Sequence, residues 1–314
     1  MTCIRCQHRR VKRFGTYGER RIQRYRCQKC HATFSETRQS RFGTHYLSLE
    51  KTTRIVSLMV EGVSVRAISR LTDIDRNTVL SVLLTVGEKC RSVFDTRVRH
   101  VRAHYVQLDE TWSFVHTKEK HITHNDPTEW GDAYTWVALD SQTKLIITYL
   151  VGKRDAECAN TFVRDLSDRI AGRCQVTSDG FKPYVAAIEE AWGADVDFAQ
   201  LIKVYGKPDN AGPDWYGPGK VIEAVPAPVS GNPDLRHIST SHVERSNLTV
   251  RMHLRRFTRL TNGFSKKLSH LKAAVSLYMA WYNFCRIHGT LRVTPAMEAG
   301  ITDHVWKIEQ MLMA

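Results

Sequence analysis

The 314-residue sequence contains no run of 18 apolar residues, so it offers no candidate for a bilayer-crossing helix. The first thirty residues also lack the apolar core of a secretory signal; they alternate Cys, Arg and Gln instead. A cytoplasmic location is the expectation, with no membrane partner. Acidic residues are in short supply, 32 Asp and Glu against 46 Lys and Arg, for a formal charge of +14. That imbalance bears on partners rather than on fold, and it favours a polyanion such as nucleic acid. A basic ribosome-associated or membrane-surface protein would share it. The scarcity is sharpest between Arg245 and Lys272, where eight Lys or Arg stand without one acidic residue. A core-facing helix could not bury such a set, and a merely solvated face would mix signs. The stretch reads as a long basic helix lying along a DNA backbone, with Arg245, Arg251, Arg255, Arg256, Arg259, Lys266 and Lys267 as phosphate contacts.

Cysteine is concentrated rather than scarce. Four of the eight lie in the first thirty residues, as Cys3-x-x-Cys6 and Cys27-x-x-Cys30 separated by twenty residues; Cys90, Cys158, Cys174 and Cys285 are scattered and read as ordinary buried thiols. Two such pairs complete a tetrahedral sulfur site for zinc, and in so short a segment the metal supplies most of the folding energy. Two disulfides or redox pairs are the competing reading, and a cytosolic setting disfavours both. Arg9, Arg10, Lys12, Arg13, Arg21 and Arg24 crowd around the knuckles, interleaved with Tyr17 and Tyr25. On a metal-stapled ribbon these would grip phosphates, giving affinity more than sequence choice.

From Glu50 the pattern is helical, with Thr53, Val56, Ser57 and Val60 at helical spacing before Gly62. A second helix fits Val65 to Leu71, with Ala67, Ile68 and Leu71 facing inward. Asp75 caps a third from Arg76 towards Val86, with Val79, Val82 and Leu83 inward. This is the order of a helix-turn-helix DNA-binding domain, in which Arg76, Asn77 and Thr78 would start the recognition helix and Arg66 and Arg70 would serve the backbone. Helical trios are also common in proteins that never meet DNA.

Near Val98 the character shifts. Val101 to Asp109, Thr111 to Thr117, Tyr134 to Leu139 and Lys144 to Val151 read as a strand-rich antiparallel region. An amphipathic helix follows over Ala156 to Ile170, then a short strand from Cys174 into Ser178-Asp179-Gly180, a helix from about Lys182 to Trp192, and a strand at Val196 to Phe198. Leu201 to His237, rich in Pro and Gly, reads as a solvent-facing insertion. The fold class is α/β, a mixed sheet with helices on its faces. The expected organisation is residues 1–40 as zinc knuckle, 46–97 as helix-turn-helix domain, 98–290 as catalytic domain with an insertion at about 200–240, and 291–314 as a C-terminal tail helix.

Asp109 ends one strand-like run, Asp179 ends another, and Glu244 opens the basic helix. A phosphodiester repels a nucleophile until its charge is offset, and two Mg²⁺ ions held by carboxylate oxygens do this while activating the attacking oxygen. Asp109 is the candidate bridging ligand, with Asp179 and Glu244 completing the shells. Each has a plainer role open to it: Asp179 as a turn or cap residue, Glu244 in a capping box with Ser241; and Glu110 competes for the metal.

In combination, Leu108-Asp109-Glu110-Thr111-Trp112, Ser178-Asp179-Gly180, His242-Val243-Glu244-Arg245, Arg255-Arg256-Phe257-Thr258-Arg259, Thr261-Asn262-Gly263-Phe264-Ser265-Lys266-Lys267 and the ending Trp281-Tyr282-Asn283-Phe284-Cys285-Arg286-Ile287-His288 resemble the transposases of the insertion-sequence-one family. The resemblance covers nearly the whole chain. It implies a ribonuclease-H-like catalytic core with the triad Asp109, Asp179 and Glu244, using Mg²⁺ or Mn²⁺ beside the zinc of the knuckle. It implies that knuckle and helix-turn-helix recognise terminal inverted repeats, and that water frees a 3′-hydroxyl which then attacks target DNA. It also implies a homodimer or larger assembly on double-stranded DNA, in the bacterial or archaeal cytoplasm at the nucleoid. His242 and Asn247 lie close enough to Glu244 to take part. The rival readings are a transposase-derived DNA-binding regulator or inactive copy, a nuclease that cuts without joining, and a basic RNA-binding protein.

Overall fold

The computed structural model describes residues 2–17, 21–35, 47–206, 220–258 and 261–314. The chain divides into two compact units, Met1–Leu49 and Glu50–Ala314. Residues 36–46, the centre of the expected insertion at 207–219, and Arg259 lie outside the described residues.

The first unit is a three-stranded antiparallel sheet, β1 (Val11–Tyr17), β2 (Ile22–Cys27) and β3 (Thr33–Ser35), in that spatial order. Its core is minimal: Cys3, Cys27 and Phe34 are buried, with Cys6, Val11, Tyr25, Cys30 and Ala32 packed against them. Gly15, at a φ of +73°, allows the register shift between Arg13 and Thr16 that a residue with a Cβ would strain.

The second unit opens with α1 (Leu49–Val60), α2 (Val65–Thr72) and α3 (Arg76–Arg97). Ser64 caps α2 by accepting the Ala67 N–H at 3.2 Å, and Asp75 caps α3 by accepting the Asn77 N–H at 2.8 Å. Val79, Val82 and Leu83 are buried as their spacing predicts, whereas Leu71 is 56% exposed, leaving Ile68 as the buried anchor of α2. α3 runs eleven residues past Val86 because Cys90, Val93 and Phe94 continue its buried face. Gly87 meets α7 so closely that a Cβ there would lie 2.5 Å from the Ala273 Cα.

The sheet of this unit has six strands: β4 (Tyr105–Val115), β5 (Gly131–Asp140), β6 (Ile146–Gly152), β7 (Gln175–Asp179), β8 (Asp197–Gly206) and β9 (Lys220–Ser230). Their spatial order is β6-β5-β4-β7-β8-β9. β4 pairs antiparallel with β5 and parallel with β7; β6 and β9 are antiparallel edges. Between the strands run α4 (Ala156–Arg169), whose Phe162, Val163 and Leu166 are buried, and α5 (Pro183–Trp192). α6 (Ser241–His253), α7 (Leu268–Phe284), α8 (Pro295–Glu298) and α9 (Ile308–Met313) complete the chain. α7 is apolar nearly all round and buried accordingly. Its Asn283 side chain accepts the Ile146 N–H at 3.0 Å and donates to the Ile146 carbonyl at 2.8 Å, covering the β6 edge.

Four expectations are revised. Val101 to Asp109 and Thr111 to Thr117 are not two strands: Glu110 stays in the ladder opposite Trp136, so one strand of 11 residues carries Asp109 near its middle. The insertion after Leu201 is in part a hairpin, β8 with β9, and Pro226 and Pro228 are tolerated because β9 is an edge strand. The basic stretch is not one long helix. α6 stops at His253, and buried Leu254 and Phe257 turn the chain before α7 begins. The tail helix is two short helices, α8 and α9.

Candidate functional site

β4 and β7 are paired in register from Tyr105↔Gln175 to Gln107↔Thr177, and there the pairing stops. Two residues further along each strand stand Asp109 and Asp179, so the strands part where two carboxylates would otherwise face each other. The opening is a cleft of ≈ 800 Å³ lined by Asp109, Asp179, Glu244, Arg154, Lys182 and Lys203, among others. Ligand oxygens of Asp109, Glu110 and Asp179 all lie within 4.8 Å of one another. Glu244 stands on the first turn of α6, on the wall of the same cleft.

The carboxylates are held from several elements, with Arg154 shared between two of them. Asn247, one turn after Glu244, donates from Nδ2 to the Asp109 Oδ2 at 2.7 Å. The Asp179 Oδ1 accepts the Phe181 N–H at 3.0 Å, and its Oδ2 accepts from Arg154 at 3.3 Å. Arg154 also donates from Nε to the Glu110 Oε2 at 3.1 Å, while the Tyr184 hydroxyl donates to Glu110 on its other oxygen. Glu244 takes Lys203 and the Thr240 hydroxyl on one oxygen. The capping box with Ser241 does not form: Thr240 is the N-cap, and the Ser241 N–H goes to the Ser239 hydroxyl at 3.2 Å. Asp179 does form the turn its sequence allows, with one oxygen still facing the cleft.

Two buried glutamines fix the loops that carry the acids. Gln107, on the same face of β4 as Asp109, accepts the N–H groups of His242 and Val243 at 2.9 and 3.1 Å. It thereby satisfies two donors at the start of α6 and ties Glu244 to the strand bearing Asp109. Gln200 donates to the carbonyls of Asp179 and Phe181 at 2.9 and 3.2 Å. Burial first, then the charges of Glu110 and Asp179, push Asp109 up to about 7. Burial and the charge of Asp179 raise Glu110 as well, against the opposing pull of Tyr184 and Arg154. A cluster of hard oxygen ligands with an elevated carboxyl is a place where a divalent cation relieves repulsion, so these residues fit a metal ion.

The cysteines form the second cluster. Cys3 Sγ lies 3.5 Å from Cys30 Sγ, and Cys6 Sγ 3.6 Å from Cys27 Sγ, with all four within 4.8 Å. Disulfides would need about 2.05 Å. Sulfurs of a tetrahedral site with metal–sulfur bonds of about 2.3 Å sit about 3.8 Å apart. The backbone N–H of Cys30, ahead of that of Lys29, brings Cys27 down to about 6. Cys6, despite the His8 N–H, is pushed up to about 12 by the neighbouring thiols, Cys30 foremost. Four sulfurs this close can all be thiolates only around a shared cation, and the cluster fits one.

Among the expected DNA contacts, Arg9, Arg10, Lys12, Arg13 and Arg21 are exposed and Arg24 is half-buried. Arg24 and Arg26 stand over the Phe14 ring at 6.0 and 5.4 Å, and Lys12 lies directly opposite Arg26 in the ladder. Arg66, Arg70, Arg76 and Asn77 are exposed and Thr78 is half-buried; so are Arg245, Arg255, Lys266 and Lys267 exposed and Arg251 half-buried. Arg256 differs: it donates to the Ser265 hydroxyl at 2.9 Å, and burial pushes its guanidinium down to about 10. Asn247 faces Asp109 from a buried position. Sequence reasoning missed Arg154, Lys203, Tyr184 and Gln200; only Gln107, two residues before Asp109 on its face, carried a readable signal.

No protein-family model matches the chain, and no curated protein matches it. Among solved structures it is similar to a piggyBac transposase synaptic complex with hairpin DNA, at a TM-score of 0.39 and 10% identity over 88% of this chain and 73% of that one. It is also similar to the Mos1 transposase paired-end complex with left transposon end, at a TM-score of 0.20 and 10% identity over 54% of this chain and 61% of that one. A Mos1 mariner paired-end complex with Mn gives 0.20 and 12%, over 46% and 57%. Nothing in these likenesses singles out the insertion-sequence-one transposases. At such scores they assign neither residue nor activity.

Proposed function

We propose that the chain is a divalent-metal-dependent DNA transposase that cleaves at the ends of its element and joins the freed 3′-hydroxyls to target DNA. One observation carries the reading: Asp109, Asp179 and Glu244, from three separate elements, meet on one cleft at the parting of two parallel strands. The order β6-β5-β4-β7-β8, with β5 antiparallel to both neighbours, supports assigning a ribonuclease-H-like core, since it sets one acid on the central strand and a second on the strand beside it. Asp109 and Asp179 would hold Mg²⁺ or Mn²⁺, with Glu244 or Glu110 completing the shell. Bound there, the metal offsets phosphate charge and activates the attacking oxygen. Asn247 orients Asp109, and Gln107 keeps Glu244 in reach.

The cysteine cluster is assigned to zinc, whose preferred tetrahedral sulfur set matches its spacing. Lys12, Arg24 and Arg26 around Phe14 have no acidic neighbour among the described residues of that unit, which favours a DNA backbone as their partner. Arg66, Arg76, Asn77 and Thr78 are assigned to a helix-turn-helix reader of the terminal inverted repeats. Arg245, Arg255, Lys266 and Lys267 are assigned to the DNA at the active site, and Arg256 to anchoring the loop before α7. Joining two ends calls for a dimer or larger assembly.

The test is end cleavage and strand transfer on the repeats flanking the protein's own gene, with Mg²⁺. The intact protein should give joined DNA and Asp109→Ala should bind the repeats without cutting. Equal binding by both with no cutting by either would make the chain a DNA-binding regulator; cutting without joining would make it a nuclease.

A further inference from the structure

We propose that Arg154 and Lys203 are resident counter-cations of the carboxylate cluster, which exchange their carboxylates for DNA phosphates when a divalent metal enters the cleft. The inference rests on the metal-dependent reading above and adds two residues to its machinery. Arg154 lies between β6 and α4, Lys203 on β8, and both line the cleft.

The pairing is divided in an unusual way. Arg154 splits its guanidinium between Glu110 of β4 and Asp179 of β7, two acids that would otherwise repel each other across the gap. Lys203 sits on Glu244 of α6. Asp109 has no cation paired with it among the described residues; its partners are the neutral Asn247 and the Glu110 N–H. Two paired side-chain cations, with Lys182 also on the cleft lining, therefore stand against four carboxylates at the place where a divalent ion would serve the same charge. Two of the pairs reach solvent on the acid side, where the Asp179 side chain is 33% exposed and that of Glu244 44%, whereas the Glu110 side chain is buried beneath Arg154. Ion pairs as open as those on Asp179 and Glu244 contribute little to stability, so their value to the protein lies elsewhere.

A metal held by Asp179 and Glu244 would need oxygens that Arg154 and Lys203 now use. Arg154 has a place to remain, since its guanidinium lies 4.0 Å over the Phe181 ring, at the cleft wall. Its planar fork suits two phosphate oxygens at once, whereas Lys203 offers a point charge on a flexible stem. The exchange makes metal entry and DNA binding mutually supportive. Without metal the cations are occupied, and without DNA the metal must displace them uncompensated.

The experiment uses the full chain without DNA and measures Mn²⁺ affinity by titration calorimetry for the unmodified protein, Lys203→Gln and Arg154→Gln. Asp109→Asn identifies the cleft as the site of binding. Removing a resident cation should tighten Mn²⁺ binding at least threefold in low salt. A purely structural pair predicts the reverse, because its loss loosens the ligands. Arg154→Gln leaves buried Glu110 short of a partner and can fail to fold; Lys203→Gln, on the more exposed acid, then decides alone. A second readout is the salt dependence of DNA binding. Each substitution should lower the log–log slope by about 0.9 with Ca²⁺ present and leave it unchanged without metal. If Mn²⁺ binds at the Asp109-dependent site and Lys203→Gln binds it equally or more weakly, the exchange is overturned. If the unmodified protein takes no Mn²⁺ at that site, the metal-dependent reading fails with it.

Discussion

Asp109 sits mid-strand with Glu110, Asp179 and Glu244 all acting to raise it, and burial carries it to about 7 from an ordinary 3.8. A carboxyl whose folded value is raised favours the fold while protonated. Its contribution is fully present below 3.8 and lost as pH rises through about 7. Metal-free protein should therefore lose stability between these values, and Asp109→Asn should flatten that part of the curve; thermal melts across the range check it. The same sign makes Mn²⁺ affinity rise with pH through about 7, because the ion must release a proton below it. Glu110 and Glu244 separate by role. Glu244→Gln should cut joining by at least roughly 100-fold with little change in stability. Glu110→Gln should cost about 1–3 kcal/mol through its Tyr184 and Arg154 bonds, read by urea denaturation. The acids themselves were legible by their company, Asp179 between a short apolar strand and Gly180, and Glu244 immediately ahead of a run of basic residues. Arg154 was not: it lies 44 positions from Glu110 in sequence, and only the fold joins them.

Gln107 works between elements, since one side chain on β4 sets where α6 begins. Gln107→Leu should strand two N–H groups and cost about 1–3 kcal/mol, with joining reduced further than that loss of stability explains, because Glu244 is displaced. Gly87 is a contact of another kind. Gly87→Val should destabilise by about 1–3 kcal/mol or more, since the new atoms meet the α7 backbone at Ala273 rather than a flexible side chain. The helices of residues 49–97 were readable because periodicity and the cap Asp75 agree, while the Ser64 cap of α2 emerged from the structure. Strand limits were less so. Glu110 and Asp109 look like the end of a run, yet both stay in the ladder because β5 goes on pairing with them after β7 has parted from β4. β9 was hidden because its prolines argue against any strand except an edge. The basic stretch read as one helix because charge has no period; the break at Leu254 comes from buried apolar anchors on either side of it.

At the scale of the molecule, two compact units rest on different forces. Among its described residues Met1–Leu49 has a core of Cys3, Cys27 and Phe34 with the partly buried Cys6 and Cys30, whereas Glu50–Ala314 has an extended apolar core. A thiol-selective zinc chelator should therefore unfold the first unit and leave the second intact, as limited proteolysis would show by a resistant fragment beginning near Glu50. DNA affinity should fall with the first unit. No helix among the described residues is long and apolar enough to cross a membrane, and the charge of +14 is distributed on exposed arginines of both units. The measurement that bears most directly on the central claim is anomalous diffraction from crystals of the DNA-bound protein soaked in Mn²⁺. A peak in contact with oxygens of both Asp109 and Asp179 is expected, and it should be absent from crystals of Asp109→Asn. Density showing DNA at the cleft with no metal on either aspartate, in a preparation that joins DNA, would contradict it.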